Sequence, residues 1–121
     1  MWLPSKRDIE NYFLLSKMLE AQKSEFDLLS KKKSDSQLNK TKIKMVNRVL
    51  KPLNDLFQNE DSHKFLDLLD EDDLPTNSDV VLIISQYETA IKEFKDKYYF
   101  YDKRRGNGTL RWITKEEPRD H

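Results

Sequence analysis

Few side chains in this sequence could do chemistry, and their spacing argues against catalysis. General acid–base work near neutral pH draws first on histidine, and only His63 and His121 are present. His63 stands between Asp61 and Lys64 in the first turn of a short predicted helix, where an exposed polar residue is ordinary. No Ser–His–Asp arrangement and no HExxH motif can be assembled from the chain. There is no cysteine, so disulfides, thiol nucleophiles, iron–sulfur clusters and cysteine-based zinc sites are excluded. That absence is compatible with a reducing compartment.

The acidic run Asp70-Glu71-Asp72-Asp73 lacks the central glycine and alternating ligands of an EF-hand loop, and Leu74-Pro75 interrupts it. It reads as a solvated loop. Gly106 and Gly108 are the only glycines, too few for a GxGxxG or GxxxxGK[ST] phosphate loop. The expectation is a protein that is not an enzyme and carries neither cofactor nor metal.

Two constellations remain, and both concern binding. Tyr98-Tyr99-Phe100-Tyr101 is a run of four aromatics, with Trp112 a short way on. On a helix four consecutive residues point nearly all round, so these rings cannot all face one core. Tyrosine also suits interfaces, where a dry ring and a wet hydroxyl are both useful. The second constellation is basic. Lys40, Lys44, Arg48 and Lys51 fall on one side of a predicted helix, and Arg104, Arg105 and Arg111 cluster with Lys103 near the aromatics. Such residues attract phosphates, and rings can stack on bases. Against a nucleic-acid role stands the formal net charge of zero, from 22 basic and 22 acidic residues.

The elements that must position these groups are helical. At 121 residues the chain fits one domain, residues 1–121. Ser5 as N-cap with Asp8 three residues on opens a long helix over about 5–32, with apolar positions at Tyr12, Leu15, Leu19, Phe26 and Leu29. Ile9, Phe13 and Met18 widen that stripe. A second helix is predicted over about 37–57, with Pro52 either kinking it or opening a fresh one. A short helix follows at about 62–69. A last long helix over about 79–101 opens at Asn77, Ser78 or Asp79 and carries Val80, Ile84, Tyr87, Ile91, Phe94, Tyr98 and Tyr101 in 4–3 steps.

Over 102–121 two readings stand, an irregular tail or a small β-hairpin. Thr109–Thr114 has strand composition and Asn107-Gly108 is a two-residue turn signal. That turn would set Lys103 against Trp112, and Arg104 against Arg111.

The fold class expected is therefore mainly α, a bundle of three to four helices, two of them long. No apolar run approaches the ~20 residues of a membrane span, and no signal-type leader is evident, so a cytoplasmic location is expected. The function expected is a non-enzymatic protein–protein interaction module (adaptor, inhibitor or immunity-type binder, or assembly subunit). It would bind another protein through Tyr98, Tyr99, Phe100, Tyr101 and Trp112. A homodimer is a further expectation. The segment 31–51 holds eight Lys/Arg against one acid, and 54–79 holds nine acids against one lysine. Those blocks could pair between copies or within one. The competing reading is a nucleic-acid binder using Lys40, Lys44, Arg48, Arg104, Arg105 and Arg111.

Overall fold

The computed structural model describes residues 1–103 and 108–118. Three helices carry it: α1 (Lys6–Lys33), α2 (Lys40–Leu56) and α3 (Asn77–Tyr98). Two 3-10 turns, Asp61–Phe65 and Glu71–Asp73, join α2 to α3, and a hairpin of β1 (Tyr99–Asp102) and β2 (Thr109–Trp112) follows. Helix α1 packs against both α2 and α3.

Helix α1 opens as its residues dictate. The Ser5 hydroxyl accepts from Asp8 N at 3.0 Å, and Asp8 Oδ2 accepts from Ser5 N at 2.8 Å, so two orphan amides are satisfied reciprocally. Its inner stripe buries Ile9, Tyr12, Leu19 and Phe26. Helix α2 is capped by Asn39, whose Oδ1 accepts from Lys42 N at 2.9 Å. It buries Ile43, Val46, Val49, Leu50, Leu53 and Leu56. Pro52 lies inside α2, which neither ends nor restarts there. The proline is on the exposed side of the helix.

The N-cap of α3 is Thr76, one residue before the three expected candidates. Its hydroxyl accepts from Asp79 N at 3.2 Å while Asp79 Oδ2 accepts from Thr76 N at 2.9 Å. Asn77 is engaged elsewhere: its Nδ2 donates to Lys33 O at 2.9 Å, satisfying a carbonyl at the end of α1. Leu38 N also donates to Pro75 O at 2.8 Å, so the α1–α2 connection and the start of α3 are stitched together.

The short helix expected at 62–69 is a 3-10 turn over Asp61–Phe65 followed by chain without helix. Leu66 and Leu69 both enter the core, 9% and 6% exposed. Asn47 holds the Leu69 backbone at both ends, donating to Leu69 O at 2.8 Å and accepting from Leu69 N at 3.0 Å. A side-chain amide so placed substitutes for a ladder partner.

At the opposite end of the bundle the segment after β2 returns to α1. Lys115 N donates to Pro4 O at 2.8 Å, and Lys6 N donates to Glu116 Oε2 at 3.0 Å. A carboxylate at a helix N-terminus meets both an unpaired amide and the positive end of the macrodipole. Residues 4–6 and 115–117 thus form a clasp.

Candidate functional site

The aromatic run does not continue the helix. Helix α3 ends at Tyr98, and Tyr99 adopts an extended conformation with φ −112° and ψ 122°. This corrects the expected helix to residue 101. The 4–3 spacing carries on to Tyr101, but residues from the far strand override it: Ile113 N donates to Tyr98 O at 2.7 Å, and the Trp112 ring lies 5.0 Å from the Tyr99 ring. On a strand the run splits between two faces, Tyr99 and Tyr101 on one, Phe100 and Asp102 on the other.

The hairpin exists, in a register four residues away from the expected one. Tyr99 pairs with Trp112, Phe100 with Arg111, Tyr101 with Leu110 and Asp102 with Thr109. Trp112 is therefore not opposed by Lys103, and the residue opposite Arg111 is Phe100. The physical reason lies in the cross-strand partners. Arg111 now meets the Phe100 ring, its guanidinium carbon 5.0 Å from the centroid. Its Nε donates to Asp102 Oδ2 at 2.7 Å. A cation faces a ring and a carboxylate instead of a second arginine. Gly108 has φ +91°, and a Cβ there would strike the Tyr101 ring, so this position requires glycine. Residues 104–107, and with them Arg104, Arg105 and Asn107, lie outside the described residues.

The face of Tyr99, Tyr101, Leu110 and Trp112 runs from the core to the exterior. At its inner end Trp112 sits 5.1 Å from Tyr12, 5.6 Å from Phe13 and 6.3 Å from Phe94. Towards its outer end Tyr101 is 51% and Leu110 59% exposed, and Phe13 alongside Trp112 is 48% exposed. Lys95 Nζ lies over the Tyr99 ring at 5.3 Å. Leu110 was not singled out from sequence. Only its place opposite Tyr101 reveals it.

Tyr98 belongs to the core. It is 2% exposed, its hydroxyl donates to Glu60 Oε2 at 2.8 Å, and its ring meets Phe94 at 4.8 Å and Trp2 at 5.8 Å. Burial, then the hydrogen bond to Glu60 and its charge, push the phenol well above its ordinary value of 10.0. Burial likewise raises Tyr12 and Tyr87. The unfolded chain therefore gives up these protons first as pH rises, so stability is full below pH 10 and falls above it. Urea melts at pH 8.0 and 10.5 should show this loss, and Tyr98→Phe should make the loss smaller. An unchanged pH dependence in Tyr98→Phe would contradict the assignment.

The basic residues are not gathered into one site. Lys40, Lys44 and Arg48 are exposed on α2, which begins where α1 ends and α3 starts, at the end of the bundle away from the hairpin. Among the described residues none of the three forms an ion pair within 4.0 Å. Arg111 faces inward. Its Nη1 donates to Glu117 O at 3.0 Å and its Nη2 to Pro118 O at 3.3 Å, in addition to Asp102.

His63 serves structure. Its Nε2 donates to Asn54 Oδ1 at 2.9 Å, Asn54 Nδ2 donates to Tyr87 Oη at 3.2 Å, and Tyr87 Oη donates to Asp67 O at 2.8 Å. The chain of bonds ties the 3-10 turn to α2 and α3. Asp70 Oδ1 accepts from Asp72 N at 2.9 Å within its own turn. Among the described residues no group of three or more His, Cys, Asp or Glu is placed to hold a metal ion, and no helix is long and apolar enough to cross a membrane.

No known protein family, no curated protein and no solved structure matches this chain.

Proposed function

We propose that this protein is a non-enzymatic protein–protein interaction module, an adaptor, inhibitor or assembly subunit of the cytoplasm, that binds through the outer face of its C-terminal hairpin. One observation carries the reading. The face that seats Trp112 on the bundle extends past it to Tyr101 and Leu110, 51% and 59% exposed, with Phe13 beside the seat at 48%. A rigidly anchored aromatic and aliphatic patch is what binding hot spots are made of. Lys95, exposed and lying over the Tyr99 ring at 5.3 Å, would orient a partner of opposite charge.

The test is partner capture from the native source by immobilised protein, with Tyr101→Ser/Leu110→Ser as the comparison. The expected result is a specific partner retained by the wild type and lost by the variant, with helical CD and melting temperature unchanged. A partner held equally by both would move the site off the hairpin.

The nucleic-acid reading has one observation in its favour, the exposed Lys40, Lys44 and Arg48, which form no ion pair among the described residues. Fluorescence anisotropy with generic DNA and RNA at low salt decides it. Phosphate contacts are strongest there, so absence of binding ends that reading.

A further inference from the structure

Helix α1 carries a second apolar stripe that its own chain does not cover. Leu14, Met18, Ala21 and Leu28, with the charged Glu25 between the last two, follow 4–3–4–3 spacing on the far side of the helix, roughly 160° round from the inner stripe. Leu14 is 59% exposed, Met18 45% and Leu28 60%. Helix α2 lies to one side of this surface, where Gln22 Nε2 donates to Met45 O at 3.3 Å.

We infer that this stripe is the contact between two copies of the chain, with α1 packed antiparallel on α1 about a two-fold axis at Ala21. Charge complementarity favours a second copy. A two-fold axis at Ala21 opposes residue 10 with 32, 14 with 28 and 17 with 25. Leu14 then meets Leu28, Lys17 meets Glu25 and Glu10 meets Lys32, each twice, because such an interface is isologous. All four charged residues are exposed, and none forms an ion pair in its own chain among the described residues. Ala21, small and at the axis, lets the two backbones approach. A parallel in-register pairing would set Lys17 against Lys17 and Glu25 against Glu25. The formal net charge of zero places no long-range repulsion between copies. This surface is separate from the hairpin face and stands whether or not that face binds a partner.

Sedimentation velocity on the full chain across a concentration series is the test. The wild type should rise from a monomer mass of 14.5 kDa towards twice that value. Leu14→Glu/Leu28→Glu should remain monomeric with unchanged helical CD. Lys17→Glu should weaken association by about tenfold, as two like-charge contacts replace two ion pairs. Lys17→Glu/Glu25→Lys should restore it, since the opposed charges are then exchanged. Residues 17 and 25 lie two turns apart on one helix, so only an antiparallel partner lets one rescue the other. A wild type that stays monomeric at millimolar concentration overturns the proposal. So does a Leu14→Glu/Leu28→Glu variant that dimerises normally or loses its fold, or a double charge swap as weak as Lys17→Glu alone.

Discussion

Phe94→Ala should cost about 3–5 kcal/mol of folding stability, the range for removing a buried phenylalanine ring from a core that cannot fully collapse. Phe94 is fully buried, and its ring is the hub on which the elements meet. Tyr12 of α1 stacks on it at 5.3 Å, Phe57 after α2 lies at 5.3 Å, and Tyr98 and Trp112 at 4.8 and 6.3 Å. Truncation leaves a void bordered by four aromatic rings, each rigid and each held by its own neighbours. Small domains have only about 5–15 kcal/mol in total, so the variant should be partly unfolded at 37 °C. Phe94→Leu fills most of the space and should lose much less. Urea denaturation followed by tryptophan fluorescence measures both, since Trp112 reports on this site. A loss below about 1 kcal/mol for Phe94→Ala would show that the ring is not central to the core.

Arg111→Ala should cost about 3 kcal/mol, for an electrostatic reason. The Arg111 and Asp102 side chains are only 10% and 8% exposed. Two ions so buried gain from each other roughly what they lose in hydration, but removing one leaves the other charge without that compensation. The same guanidinium also holds the carbonyls of Glu117 and Pro118. Arg111→Lys should recover only part of the loss, because an ammonium cannot span those acceptors with the planar fork of arginine. A double-mutant cycle with Asp102→Asn separates the pair from the rest. Strict additivity of the two substitutions would refute the coupling.

What could be read from the sequence follows the distance over which each feature is decided. The three helices are local: apolar residues three and four apart, with Ser5 and Asp8 at the start of α1, specify them within a few turns. Tyr98 is different. No glycine or proline stands within the next two turns, and the spacing continues to Tyr101, so nothing local ends α3 there. The ending is imposed by Trp112 and Ile113, more than ten residues on. The hairpin itself could be foreseen from Thr109–Trp112, whereas its register could not, because the turn signal at Asn107-Gly108 is outweighed by the Phe100–Arg111–Asp102 cluster.

Of the residues expected to bind, Tyr99, Tyr101 and Trp112 share one face of the hairpin. Phe100 is on the other, and Tyr98 is in the core. Burial by a neighbour distant in sequence separates them, and identity alone carries no sign of it. The N-cap of α3 is hidden for a similar reason: Asn77 is an excellent cap in isolation, but the Lys33 carbonyl claims its side chain.

The clasp between residues 4–6 and 115–117 bears on how the protein comes to be made. Synthesis proceeds from the N-terminus, so α1 leaves the ribosome long before Glu116, which completes its first turn. Phe94 and Tyr12 likewise emerge before Trp112, the ring that closes over them. A nascent chain can form its helices early but cannot seal their junction until residues 112–117 have emerged. Until then it displays the aromatic surface that the folded domain hides, and that is the interval in which a chaperone has most to protect.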